Sequence, residues 1–178
     1  MNDKTALTSR LLLITGTMGA GKSTVMAEAS DLLAMRHIEH AAIDVDGLAV
    51  AYLSSTTSND EAIYANLACV CNNFWLAGVR RFLIAMALEG QTELEQCRIA
   101  TSAEETFICR LTANLATMEQ RVAAREPGIL QAEFVARVGK LNTILDCACL
   151  EDFTIANENR SVTEVAHEML IKARWLTS

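Results

Sequence analysis

Short apolar runs separated by amphipathic stretches recur along the whole chain. Arg10–Thr15 (RLLLIT) is apolar at consecutive positions, which predicts a strand buried on both faces. From Lys22 to about His37, Val25, Met26, Ala29, Leu32 and Leu33 fall on one side of a predicted helix. His40–Asp46 reads as a second strand. Ser58 with Glu61 forms a capping box for a helix running to about Leu76. Arg80–Gly90 (RRFLIAMALEG) reads as a third buried strand, and Leu94–Ala100 as a short helix. Thr106–Ala113 is a fourth strand candidate. A helix from Asn114 through Glu126 is ended by Pro127 and Gly128. Leu130–Leu150 spaces Leu130, Phe134, Val135, Val138, Leu141, Ile144 and Leu145 as a helix does. Asp152–Asn157 is a fifth strand. Ser161 and Glu164 form a capping box at the head of a last helix. Strand and helix alternate from end to end, which predicts one α/β domain with a parallel sheet wrapped by helices.

The turn after the first strand carries the candidate chemistry. Gly16-Thr17-Met18-Gly19-Ala20-Gly21-Lys22-Ser23 matches G-x-x-x-x-G-K-[ST], followed by Thr24, between a predicted strand and a predicted helix. Glycines let backbone N–H groups approach phosphate oxygens with no Cβ between them. The helix that follows points its N-terminus at the same phosphates. Lys22 suits the β- and γ-phosphates, and the Ser23 hydroxyl suits Mg²⁺. The pattern predicts binding of a nucleoside triphosphate by Gly16 to Thr24.

The guanine-reading Asn-Lys-x-Asp of GTPases is absent, as is the apolar run ending in Asp-Glu of motor ATPases. Asp44 and Asp46 stand two apart where the second strand runs out, and ligands of open α/β sheets sit outside such strand ends. One carboxylate there suits a Mg²⁺-bound water and the other the proton of an attacking hydroxyl. In this stretch the chain resembles P-loop small-molecule kinases of the shikimate, gluconate and adenylylsulfate type, which carry a D-x-D or D-G-D-like element after strand two. Met118–Gly128 (MEQRVAAREPG) is similar to the lid of that class, with Arg121 and Arg125 neighbours on one helix face.

The resemblance implies a three-layer α/β/α P-loop fold with a five-stranded parallel sheet in the order 2-3-1-4-5. It implies an acceptor-binding segment at about 47–79 and a lid at about 115–130. It implies ATP and Mg²⁺, with Lys22, Asp46, Arg121 and Arg125 acting on the reacting groups. Asp46 would touch the acceptor, and Asp44 would lie nearer the metal with Ser23. Glu89, at the end of the third strand, would take the place of an acidic residue near magnesium. The segment after strand five, Asn157–Arg160, would lie beside adenine. The expected activity is transfer of the γ-phosphate to a hydroxyl of a small molecule. An ATP-binding regulator without a small-molecule acceptor is the competing reading, and a nucleoside-monophosphate acceptor is disfavoured by the lack of arginines after strand two.

Charge narrows the acceptor. Gly47–Asp60 contains no Lys or Arg, where the adenylylsulfate and gluconate kinases have basic residues for an anionic acceptor. A neutral or cationic hydroxyl compound fits better. The net charge of −7 argues against nucleic acid or an anionic membrane as main partner. The first ten residues have no signal-peptide pattern, and a cytoplasmic protein is expected. The sequence leaves oligomeric state open. Six cysteines, two pairs of them spaced C-x-C, read as buried reduced thiols, and the three histidines as ordinary surface or loop residues. Arg80 and Arg81 precede the third strand and read as structural. Tyr64, Asn73, Phe74 and Trp75 read as core, with an acceptor wall as the alternative.

Overall fold

The computed structural model describes residues 8–48 and 59–177. Its elements are β1 (Arg10–Thr15), α1 (Lys22–Ala34), β2 (Ala41–Asp44), α2 (Asn59–Leu76), β3 (Arg81–Ala85) and α3 (Gln91–Thr101). They continue as β4 (Glu105–Thr112), α4 (Leu115–Arg125), α5 (Gln131–Ala148), β5 (Phe153–Ala156) and α6 (Val162–Lys172). The five strands form one parallel sheet in the order β2-β3-β1-β4-β5. β1 is central, with Leu12 beside Leu83 on β3 and Leu13 beside Ile108 on β4.

The continuous apolar runs are explained by apolar cores on both faces of the sheet. Leu12 and Ile14 face a core with Val25, Ala29 and Leu33 of α1 and Val165, Met169 and Leu170 of α6. Leu11 and Leu13 face the other core, with Leu67 of α2 and Leu94 of α3. These strand residues are fully buried, and each such leucine contributes about 1.5–3 kcal/mol. α4 packs along α5, and Gln131 Nε2 closes their connection by donating to the Ala123 carbonyl at 2.6 Å. The Ser161–Glu164 capping box is present, with each residue's side chain accepting the other's backbone N–H. Ser58, its expected counterpart ahead of α2, lies outside the described residues. No described helix is long and apolar enough to cross a membrane.

Several boundaries differ from the sequence expectation, each for a tertiary reason. β2 stops at Asp44, because its Oδ1 accepts the Asp46 N–H at 3.2 Å and starts a 3₁₀ turn over Val45–Gly47. β3 stops at Ala85 rather than Gly90. Beyond it β2 has ended and β1 turns away at Gly16, so Glu89 lies in a loop rather than on a strand. The Thr15 hydroxyl accepts the Leu88 N–H at 2.9 Å and holds that loop to the sheet. α1 ends three residues before His37, which has φ 55°. α3 is longer than expected, starting at Gln91.

Phe74 and Trp75 are not core. Each is 40% exposed at the C-terminal end of α2, on the side of the sheet away from Gly16–Thr24. Arg80 stacks on the Trp75 ring at 3.5 Å and donates to its carbonyl, a structural role as expected. Cys71, Cys97 and Cys109 are buried, and burial pushes each thiol up to about 12. Cys69, Cys147 and Cys149 are exposed, contrary to the expectation for all six, because they lie on the outer faces of α2 and α5 or at the α5 end.

Candidate active site

Every residue that approaches the site leaves the carboxyl end of a strand. β1 runs into the Gly16–Gly21 loop, β2 into Asp44 and Asp46, β3 into Glu89, β4 into Asn114 and α4, and β5 into Asn157. Ligands of open parallel sheets bind along this edge.

The glycine loop is moulded by neighbouring backbone. Gly19 has φ 78°, and a Cβ there would come within 2.3 Å of the Met118 carbonyl oxygen on α4. Gly21 has φ 95°, caps α1, and would meet Asn157 Nδ2 at 2.3 Å. Only glycine meets both demands. Asn157 Nδ2 donates to the Ala20 carbonyl at 2.8 Å, tying the loop to the end of β5. Thr17 is buried, and its hydroxyl donates to the Val138 carbonyl on α5 at 3.0 Å. Ala20 is also fully buried. The side chains of Thr17 and Ala20 therefore anchor the loop, leaving only their backbone for a ligand.

A cavity of about 90 Å³ lies over this loop, lined by Met18, Gly19, Gly21, Lys22, Ser23, Thr24, Asp46 and Arg125. Lys22 Nζ donates to the Gly16 carbonyl at 2.9 Å, which lays the side chain back across the loop. Burial pulls the Lys22 pKa below its usual value; Asp46 and Asp44 act against this, and Arg125 adds to it. The structure thus brings Asp44, Asp46 and Arg125 within electrostatic reach of Lys22.

Arg121 and Arg125 share the α4 face turned towards the loop. Arg121 donates to the Gly19 carbonyl at 3.2 Å and the Asn157 carbonyl at 3.0 Å. Arg125 lines the cavity while its Nε donates to Glu126 at 2.8 Å. Glu158 fixes the start of α4 by accepting from the Thr117 hydroxyl at 2.5 Å and the Asn114 N–H at 3.2 Å. These bonds, the Thr117 one foremost, hold its carboxyl below the usual range.

Glu89 stands apart from the loop cavity. It pairs with Arg137 of α5 at 3.5 Å, and both line a second cavity of about 590 Å³. Val45, Asp46, Ile63, Tyr64, Met86, Ala87, Thr92 and Glu93 complete that lining. Asp46 is common to the two cavities. Arg137 was missed by sequence reasoning. It falls between the buried positions of α5 like any solvated arginine, and only the fold carries it to Glu89, 48 residues away. Asn157 was singled out only as a neighbour of adenine, with no sign of its bond to Ala20.

Ser23 and Asp46 line the loop cavity and Asp44 acts electrostatically on Lys22; hydroxyl and carboxylate oxygens of this kind suit Mg²⁺ shared with water and phosphate. Among the described residues no three His, Cys, Asp or Glu side chains cluster as a metal cage.

The sheet order, the glycine loop after the central strand and the helix behind it define the fold of the P-loop small-molecule kinases. The chain is similar in structure to APS kinase from Mycobacterium tuberculosis, with 18% identity over 95% of this chain and 99% of that one and a TM-score of 0.62. It is similar to shikimate kinase from Acinetobacter baumannii, at 17% identity, 96% and 97% coverage and a TM-score of 0.62. A sugar kinase from Janibacter matches at 16% identity, 92% and 93% coverage and a TM-score of 0.64. No family model matches the sequence, and no curated protein matches it at the sequence level. The likeness therefore shows the fold, as expected from the sequence, and leaves activity and acceptor to the site.

Proposed function

We propose that this protein is an ATP-dependent kinase that transfers the γ-phosphate to a hydroxyl of a small acceptor that is not anionic. One observation carries the reading: Asp46 stands where the phosphate-loop cavity meets the larger cavity beside it. A donor held by the loop and an acceptor held in the larger cavity would meet at that carboxylate.

Backbone N–H groups of Gly16 to Thr24 bind the phosphates, aided by the N-terminus of α1. Lys22 pairs with the β- and γ-phosphates. Ser23 and Asp44 would hold Mg²⁺, and Glu89 would support its charge from the loop after β3. When bound, the ion offsets phosphate charge. Asp46 orients the acceptor hydroxyl and takes its proton as the new O–P bond forms. The bond from the γ-phosphorus to the bridging oxygen breaks, and ADP leaves. Arg125, and Arg121 once released from its carbonyl partners, meet the charge on the moving group with planar donors. Residues 115–130 serve as a lid that excludes water, and residues 47–79 carry much of the acceptor site.

The test is ADP release from Mg-ATP across sugars, nucleosides, hydroxy acids and aminoglycosides, beside Lys22→Ala. Stimulation by one class, lost in Lys22→Ala, is the expected result. Tight ATP binding with no stimulation anywhere would favour a nucleotide-binding regulator instead.

A further inference from the structure

The cavity beside Asp46 has a lopsided charge. Asp46, Glu89 and Glu93 line it against a single guanidinium, Arg137. That guanidinium already faces Glu89 at 3.5 Å. Glu93, in the first turn of α3, has no hydrogen-bond or ion-pair partner among the described residues. Its Oε2 lies over Gly90, where a Cβ would approach it to 3.2 Å. The chain from Gly47 to Val79 contains no Lys, Arg or His. Tyr64 and Thr92 add hydroxyls to the lining, and Val45, Ile63, Met86 and Ala87 add apolar surface. A volume of about 590 Å³ lies within the usual range for a small-molecule site.

An anionic acceptor would enter among carboxylates with only a shared arginine to meet it. A neutral polyol could donate hydroxyls to Glu93 but would leave the surplus negative charge of the cavity without a counter-charge. A protonated amine would supply it. We propose that the acceptor is a hydroxyl compound carrying a protonated amine, an amino sugar, aminocyclitol or amino alcohol. Its ammonium sits at Glu93, its carbon skeleton against Ile63 and Met86, and its hydroxyl towards Asp46. This assignment rests on the kinase reading of the same site and narrows its acceptor class.

Binding and turnover are measured separately, so that the two readings fail separately. The probes are D-glucosamine, the aminocyclitol antibiotic kanamycin and ethanolamine. Each is paired with its N-acetylated form, and glucosamine also with D-glucose and D-gluconate. Calorimetry in the presence of a non-hydrolysable ATP analogue reads binding, and ADP release from Mg-ATP reads transfer. At least one free amine is expected to bind about tenfold or more tighter than its acetylated partner. Glu93→Gln is expected to weaken that amine about 10- to 100-fold, with part recovered in Glu93→Asp. The variants' thermal transitions, with and without the analogue, report their folding. Selective amine binding without ADP release would uphold the charge assignment and sink the kinase reading. Preferred binding of D-glucose, D-gluconate or an acetylated form would overturn the amine assignment, as would failure of every free amine to bind. ADP release would then show by itself whether the kinase reading stands.

Discussion

Lys22 reaches back to the Gly16 and Thr17 carbonyls, and burial there lowers its pKa against the pull of Asp46 and Asp44. Bound phosphates would favour the charged ammonium and raise that pKa again. Where the ligand-free lysine has begun to lose its proton, binding must take one up. Nucleotide affinity should therefore fall as pH rises through the lowered Lys22 pKa, at a pH below the ordinary lysine value of about 10.4. Calorimetry of an ATP analogue in buffers of different ionisation enthalpy would detect the proton uptake; a pH-independent affinity up to that value would refute it. Asp46→Asn removes the strongest charge supporting the Lys22 ammonium, so this alkaline fall should begin at lower pH. Near neutrality the variant should still bind nucleotide, while phosphoryl transfer drops about 10²- to 10⁴-fold. Transfer at the parent rate would remove Asp46 from its assigned role. At Gly19 backbone is the constraint: Gly19→Ala would drive a methyl into the Met118 carbonyl. It should lower both the melting temperature and nucleotide binding, and a parent-like melting curve would show that α4 yields freely.

Whether an element could be read from the sequence depended on what sets its limits. α6 begins where Ser161 and Glu164 cap each other, a signal contained in four residues. Ser161→Ala should cost about 1 kcal/mol in urea unfolding, and a cost near zero would mean that packing alone sets that helix. β1 was legible for a similar reason, since a strand covered on both faces must be apolar at every position. The glycine loop was legible because phosphate binding needs particular residues at fixed spacing in one turn. The ends of β2 and β3 were not legible. A side chain bonding its own backbone stops β2, and the loss of neighbouring strands stops β3. Phe74 and Trp75 keep the apolar character of a helix core, but stand exposed in the last turn of α2. Arg137 gave no local sign at all, because its partner comes from another layer of the chain. The phosphate side of the candidate site was thus written in one loop, Asp46 and Arg125 in short motifs of their own, and Glu93 and Arg137 only in the packing around the larger cavity.

Across the whole molecule, the α4–α5 hairpin is held firmly at one end and lightly at the other. At its root, Arg110 of β4 is buried and reaches Asp146 at 2.6 Å, Asn142 at 3.2 Å and Glu151 at 3.4 Å. Near the phosphate loop, α4 is joined to it through Arg121 and carbonyls, and at its start through Thr117 and Glu158. Its tip, the turn from Glu126 to Leu130, carries Ile129 fully exposed. Neutral carbonyls are weaker partners for a guanidinium than phosphate oxygens. A triphosphate in the loop would compete for Arg121 and draw Arg125 from Glu126, pulling the tip inward while the root stays fixed. Amide hydrogen exchange should therefore slow over residues 115–130 when an ATP analogue and Mg²⁺ are added, with little change in the C-terminal half of α5. Arg125→Ala should erase much of that protection and lower kcat about 10²- to 10³-fold, if its donors meet charge that develops during transfer. Loss of protection with unchanged kcat would make the hairpin a cover and not a catalytic part. Unchanged exchange in the parent protein would mean that the hairpin is already closed in the absence of ligand, and that Arg121 serves to brace the phosphate loop.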